Sequence, residues 1–382
     1  MRILLIGEFS RLHNSLKEGL LKLGHEVVLV SNGDGFKNYP ADFSTKAKWC
    51  ESIWMNKFRK GIHKLTKFDI ATIEFGIRFW LISKHLKGYD YVQLINEAPI
   101  QTTSRFELFL LKKLFKQNNK VFLLCSGVDY STLHHMLEKK ERYSIMNPYF
   151  EGISEAHKQY DFMFDYNTKS HIKIHDFLYQ NISGVIATDL DYVNPIKDNP
   201  KYVGMIPNPI NIDSIQFIEN SINEKIVVFL GINSGNSYKK GVHFFETALE
   251  IIKDKYQYKI EIIIVENIPY QNYIKLYNKT HIVLDQVYGY DQGYNALEAM
   301  AKGKIVFTGA EDEFMKYYGL TERVAVNALP DVNQIVNELS FLIENPNEIK
   351  AIGKRARDFI EKEHDYIKIA QQYLDVWNSS TK

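Results

Sequence analysis

Short apolar runs of strand length alternate with amphipathic stretches of helix length along most of this chain. In the first half the runs fall at 3–7 (ILLIG), 26–30, 91–96, 121–126 and 184–188. A second series follows at 225–231 (KIVVFLG), 260–266 (IEIIIVE), 281–287 (HIVLDQV) and 304–309 (KIVFTG). Nearly continuous Val, Ile and Leu runs separated by helical patterns are the mark of parallel strands covered on both faces, hence of α/β units wound in succession. Between the two series, 194–213 carries four prolines, which suits a connector and an edge but not a long helix or a central strand. The pattern therefore predicts two doubly wound Rossmann-like domains, 1–205 and 206–361, with a terminal helical segment, 362–382, after the last strand. Ligands of such sheets bind beyond the carboxyl ends of the strands, so two facing sheets predict a cleft between the domains.

Composition narrows the classes. The 382 residues hold 47 Lys plus Arg against 46 Asp plus Glu, a net charge of +1, which argues against a protein whose main partner is a nucleic-acid backbone, local patches aside. Two distant cysteines, Cys50 and Cys125, make neither a disulfide framework nor a zinc site and fit a reducing compartment. No run reaches the roughly 20 apolar residues of a membrane span. A cytoplasmic protein is expected. Residues 45–67 stand out, with seven basic residues (Lys46, Lys48, Lys57, Arg59, Lys60, Lys64, Lys67) against Glu51 alone, interleaved with Trp49, Trp54, Met55 and Phe58. The segment either packs on the first domain as an ordinary amphipathic helix or lies on the inner face of an anionic cytoplasmic membrane and presents a lipid-linked partner.

The segment 281–309, HIVLDQVYGYDQGYNALEAMAKGKIVFTG, reads strand, loop, helix, glycine turn, strand. Backbone amides of Gly293, Tyr294 and Asn295 at the helix start would favour a phosphate, and Glu298 one turn later could accept the two hydroxyls of a ribose or simply face water. A second loop, 231–241 (GINSGNSYKKG), places small polar residues and Lys239 and Lys240 between a strand and a helix. It is either a diphosphate cradle or a solvated loop, and it is not a P-loop, because the G-x-x-x-x-G-K-[ST] spacing is missing. Neither domain shows G-x-G-x-x-G after its first strand, which disfavours a nicotinamide dehydrogenase.

IPNPIN (206–211), Gly231, Lys240-Gly241, ALEAMAKGKIV (296–306) and the terminal GKRARDFIEKEHDYIKIAQQYLDVW (353–377) occur in one order over about the last 175 residues. In them the chain resembles the GT-B glycosyltransferases, in particular the retaining family 4 of group 1. The resemblance implies GT-B architecture, with the C-terminal helices packing back towards the first domain, and an enzyme of hexosyltransferase type. Such an enzyme moves a sugar from a UDP- or GDP-sugar to a carbohydrate or lipid-linked acceptor, in cell-surface polysaccharide assembly, with no metal or other cofactor. The acceptor is attacked on the face from which the diphosphate departs, so rate comes from positioning and charge neutralisation. Two alternatives are a sugar-nucleotide epimerase of related architecture and a non-catalytic nucleotide-sugar-binding protein.

Carried over residue by residue, Glu298 holds the ribose, Lys240 neutralises the diphosphate with Lys239 as a second charge, Gly231 opens the loop, and Gly293, Tyr294 and Asn295 cap the phosphate. The first acid of the family's glutamate pair falls on Tyr290, so Asp291 is the displaced candidate for the donor sugar. In the first domain a single Gly7 stands where many relatives have a glycine pair, and Ser10, Arg11, His13 and Asn14 would line the cleft floor. Ser126 occupies a histidine position of the pattern His-Gly-x-Asp, leaving Asp129 either to orient an acceptor hydroxyl or to cap the following helix. Asn96 and Glu97 reach the same edge. Asp189-Leu190-Asp191 spells the D-x-D metal motif of the other main glycosyltransferase fold, which the two-domain pattern does not fit.

Overall fold

The computed structural model describes residues 1–66, 68–222, 224–268 and 270–380. Seven parallel strands form the first sheet: β1 (Arg2–Ile6), β2 (Glu26–Ser31), β3 (Phe43–Ser44), β4 (Tyr91–Leu94), β5 (Lys120–Cys125), β6 (Gly184–Ala187) and β7 (Tyr202–Met205). Their spatial order is β3-β2-β1-β4-β5-β6-β7. The second sheet holds β8 (Ile226–Ile232), β9 (Ile260–Glu266), β10 (Ile282–Leu284), β11 (Ile305–Thr308) and β12 (Val326–Asn327), ordered β12-β11-β10-β8-β9 and again parallel throughout. All nine apolar runs form strands. The three additional strands, β3, β7 and β12, are short edge strands at the limits of their sheets.

Helices cover both sheets. In the first half they are α1 (Leu12–Lys22), α2 (Ile53–Thr66), α3 (Ala71–Ile82), α4 (Ser104–Gln117), α5 (Tyr130–Leu137), α6 (Asn147–Phe150), α7 (Asp161–Phe164) and α8 (Lys169–Asn181). In the second half they are α9 (Ser237–Lys240), α10 (Val242–Tyr256), α11 (Tyr270–Lys279), α12 (Tyr294–Ala301), α13 (Asp312–Tyr317), α14 (Val332–Glu344), α15 (Pro346–Glu363) and α16 (Tyr366–Ser379). Strand order reverses between β1 and β4 in the first sheet and between β8 and β10 in the second. These reversals open a crevice at the carboxyl ends of the strands, where the loops after each pair diverge to opposite faces.

The chain crosses back after its second sheet. α16 lies along α1, and Trp377, fully buried, stacks on Tyr91 at 5.5 Å and donates its indole N–H to Gln93 at 3.2 Å, both residues of β4. Ile210, in the proline-rich connector, bridges Asp365 at the start of α16. The connector and the last helix thereby hold the two sheets together through one continuous apolar cluster that includes Leu16, Tyr91, Ile210, Tyr294 and Trp377. No helix among the described residues is long and apolar enough to cross a membrane.

Candidate nucleotide-sugar site

On the second-domain side, the loops after β8 and β10 face each other. The Lys240 ammonium lies 2.6 Å from the Asp285 carboxylate at the end of β10, and the Lys240 carbonyl accepts from the Val287 amide at 3.1 Å, so the two loops are tied together. Asp285 is buried and Lys240 is partly exposed, which leaves the lysine its open side. Lys239 goes elsewhere. It donates to the Gln159 carbonyl at 3.1 Å and sits over the Phe162 ring at 4.4 Å, and burial lowers its ammonium to about 8. Gly231 is inside β8, opposite Val265, where a Cβ would lie 2.4 Å from the Tyr273 ring; it permits close packing rather than a turn.

Gly293 is the residue before α12, in extended backbone, and no side chain caps this helix. Tyr294, buried, reaches across to the first domain. Its hydroxyl lies 2.6 Å from the Ser15 hydroxyl on α1 and donates to the Pro209 carbonyl at 3.0 Å. Asn295 follows, partly buried, and Glu298 stands partly buried one turn further along.

The first domain meets this face with the loop after β1. Gly7 has φ +86° and no room for a side chain, since a Cβ would fall 2.2 Å from Ile95. Ser10 (φ +52°) and Arg11 (φ +75°) follow in the left-handed region, two consecutive non-glycine residues held in strained backbone at the crevice. The Ser10 amide donates to Asp34 at 2.9 Å and its hydroxyl accepts from Lys37 at 2.8 Å. The Arg11 guanidinium donates to Glu18 at 2.8 Å. Burial lowers that guanidinium's pKa, but the charges of Glu18, Tyr294 and Glu298 outweigh it and leave it raised. The Glu298 charge thus acts on Arg11 from the opposite domain, while the guanidinium's ion pair is with Glu18.

His13 and Asn14 do not face the crevice as free side chains. His13 is wholly buried, with Nδ1 2.7 Å from the Gly7 carbonyl, and burial pulls its imidazole down to about 4. Its Nε2 has no hydrogen-bond partner. The Asn14 amide and side chain both donate to Glu8, at 2.9 and 2.6 Å, and the His13 amide donates to it at 3.2 Å. Glu8 therefore fills the N-terminus of α1, and burial pushes its carboxyl up to about 7 against those three bonds.

A second group lies at the ends of β4 and β5. Asp129 is fully buried as the N-cap of α5, accepting from the Thr132 amide at 2.8 Å in a complete capping box. Burial and the charge of Glu97 raise it to about 6. Asn96 donates to the Tyr166 hydroxyl at 3.2 Å. Glu97, also fully buried, takes His171 Nε2 at 2.9 Å and His175 Nδ1 at 2.7 Å. Burial works against the charged form of both Glu97 and His175, but their mutual bond and charge prevail, lowering the carboxyl and raising the imidazole. His171 and His175 were not singled out from the sequence, although their i, i+4 spacing on α8 places them on one helix face. Glu8 was also missed, because only the fold shows that the helix start turns back onto it.

Asp291 belongs to the junction between the domains. Its carboxylate accepts from the Leu190 amide at 3.1 Å, and Asp191 in turn accepts from the Tyr290 amide at 2.9 Å. Both carboxylates of the Asp-Leu-Asp run serve backbone amides, since Asp189 accepts from the Asp191 amide at 3.1 Å. Tyr290 is buried with its hydroxyl unpartnered. Its ring stacks on Tyr143 at 5.0 Å and lies under the Arg142 guanidinium at 4.9 Å. The site residues thus fall into three places: Lys240, the start of α12, Glu298 and Arg11 around the crevice; Asp291 in the junction; Asp129 beneath the first-domain edge.

Two parallel sheets with opposed crevices and a returning terminal helix are the GT-B architecture. A sucrose-phosphate synthase from Thermosynechococcus elongatus superposes with a TM-score of 0.56 at 13% identity, covering 99% of this chain and 98% of that one. Anabaena HepE, solved with UDP and glucose, gives 0.57 at 13% identity over 99% of both chains. A putative UDP-N-acetylglucosamine 2-epimerase from Listeria monocytogenes gives 0.54 at 10% identity, over 100% of this chain and 97% of that one. Residues 240–375 match the family described as "Glycosyl transferase-like". The chain therefore has the GT-B fold, and the segment similar to the glycosyl transferase-like family contains Lys240, the α12 start and Glu298. Among curated proteins, a threonine–tRNA ligase of Borrelia garinii is 40% identical over 91 residues, so that the chain spans 14% of that relative's length.

Proposed function

We propose that this protein transfers a sugar from a nucleoside diphosphate sugar, UDP- or GDP-linked, to a carbohydrate or lipid-linked acceptor, with retention at the sugar carbon. In this reading the diphosphate lies between the open side of Lys240 and the start of α12, and Glu298 accepts the ribose hydroxyls. Arg11 supplies a cation from the opposite domain. The observation that carries the reading is that Lys240, tied to Asp285 at the end of β10, and the uncapped α12 start with Glu298 both follow the strands at the second sheet's switch point, inside the segment with the family match, while the Glu298 charge acts on Arg11 of the opposite domain.

Lys240, Arg11 and the helix dipole would share the neutralisation of the departing diphosphate, the chief demand of such a transfer, with Asp285 and Glu18 holding the two cations in place. HepE in its UDP and glucose complex is a fold neighbour consistent with a UDP-linked donor. Membership of family 4, retention, a role in cell-surface polysaccharide assembly and a cytoplasmic site of action belong to the same proposal. Titration calorimetry with UDP, GDP and their sugar conjugates tests the donor site, and nucleoside diphosphate release with and without an added glycan acceptor tests transfer. Binding without release under any acceptor would favour a binding protein. Isomerisation of the free sugar nucleotide would favour an epimerase, the description carried by the Listeria neighbour.

A further inference from the structure

The helix α2 has no buried residue, and its apolar side chains are turned to solvent: Trp54 is 85% exposed, Leu65 86% and Phe58 59%. At about 100° per residue these three fall within an arc of about 40°, so they form one stripe along the outer surface. Lys57, Lys60 and Lys64 form the adjoining stripe, all exposed, while Asn56, Arg59 and Ile62 turn partly inward. The helix is held to the domain by its ends and polar side. Arg59 is paired with Asp69 at 2.5 Å, and the amides of Trp49 and Cys50 donate to Glu74 at 2.9 and 2.8 Å. A cavity of about 570 Å³ beneath the lysine side is lined by Asn56, Arg59, Lys60, His63, Lys64 and Asp69. Lys67, the last basic residue of the segment, lies outside the described residues.

We propose that α2 lies in the surface of an anionic lipid bilayer, its Trp54, Phe58 and Leu65 stripe in the headgroup boundary and its lysines against lipid phosphates. A soluble surface does not ordinarily present a tryptophan, a phenylalanine and a leucine together at such exposure. An apolar stripe edged by lysines is the arrangement an interface takes up. Charge decides against a second copy of the chain as the cover. A two-fold pairing through this face would bring the lysine stripes of two copies together, whereas an anionic surface neutralises them. α2 follows β3, an edge strand of the first sheet, and leaves from its carboxyl end. This inference stands apart from the sugar-transfer reading.

The full chain is mixed with vesicles of phosphatidylcholine and with vesicles of phosphatidylcholine and phosphatidylglycerol, and the sedimented fraction is measured at low and high salt. Binding is expected only to the phosphatidylglycerol vesicles and weakens with salt. The triple variant Lys57→Glu/Lys60→Glu/Lys64→Glu and the double variant Trp54→Glu/Leu65→Glu are each expected to lose at least roughly tenfold in affinity. Because all five side chains are solvent-exposed, both variants keep the parent's thermal midpoint, which separates lost docking from lost folding. Equal binding to both vesicle types, no binding to either, or variants that bind like the parent overturns the proposal. So does a concentration-dependent dimer that the Trp54→Glu/Leu65→Glu variant abolishes, which would assign the stripe to a second copy.

Discussion

Glu298 and Lys240 differ in what surrounds them, and the difference sets how each can be tested. Replacing Glu298 by Gln removes one charged acceptor from the crevice. The expected result is a loss of roughly 1.5 to 3 kcal/mol in nucleoside diphosphate binding by calorimetry, and an unchanged affinity would place the ribose elsewhere. Lys240→Met is less clean, because it also strips Asp285 of its partner 2.6 Å away and leaves a buried carboxylate unpaired. The double variant Lys240→Met/Asp285→Asn removes that second cost. It is expected to recover the thermal midpoint while nucleotide affinity stays low, and recovery of affinity as well would make Lys240 a structural residue. Asp129 poses a similar choice between cap and acceptor contact. Asp129→Asn keeps an oxygen for the Thr132 amide and Asp129→Ala does not, so the alanine variant alone should lose about 1 kcal/mol of stability. A drop in sugar transfer in the asparagine variant at full stability would show a chemical role for the carboxylate.

Between β5 and α8 the chain leaves the first domain and lies on the second, and this excursion explains where several side chains end up. Gln159 bonds the Ser234 carbonyl at 2.6 Å and accepts from the Tyr238 amide at 3.2 Å, Phe162 lies under Lys239, and Arg142 pairs with Glu311 and Glu313 at 3.0 and 2.7 Å. Gln159→Ala, which removes the side-chain bonds to Ser234, Ser237 and Tyr238, should loosen the 233–240 loop. Faster amide hydrogen exchange in that loop is the expected readout, with exchange in β8 unchanged; equal protection in both would mean that the loop orders itself. None of this was legible in the sequence, where Lys239 and Lys240 look equivalent. Their divergence depends on an element from more than 70 positions upstream arriving at Lys239. The nine strands that lie in apolar runs were legible because strands buried on both faces, as most of these are, must be apolar along their whole length. β3 and β12, two residues each, were not, since so short an edge carries no periodicity. Of the crevice, the strand–loop–helix pattern made Glu298 and Lys240 candidates and the family resemblance supplied their roles, whereas Glu8 and the Glu97 pair with His171 and His175 required the fold.

The two sheets are locked at a junction that should respond to pH. Asp191 holds the Tyr290 amide and Asp291 holds the Leu190 amide, a reciprocal exchange between domains, with Asp189 beside them. Burial raises Asp191 to about 7 and Asp291 to about 6, and burial with the charges of the other two raises Asp189 well above the usual range. In the unfolded chain all three ionise near 3.8. The folded form therefore binds more protons between 3.8 and about 7. The stability these groups contribute is fully present below 3.8 and is lost as pH rises through 6 to 7, where carboxylates packed together must charge. The parent protein's own profile mixes many ionising groups, so the comparison must be with a variant. Asp191→Asn keeps an acceptor for the Tyr290 amide and removes one charge. Its urea midpoint should match the parent's in acid, exceed it increasingly as pH rises from about 4 to about 7, and keep that lead at higher pH. Because the junction joins the domains, the same variant should also hold the crevice closed at alkaline pH, seen as a smaller rise in radius of gyration by solution scattering than in the parent. Parallel urea profiles for parent and variant would show that the three carboxylates are solvated and that the domains are held by the apolar cluster around Tyr294 and Trp377 alone.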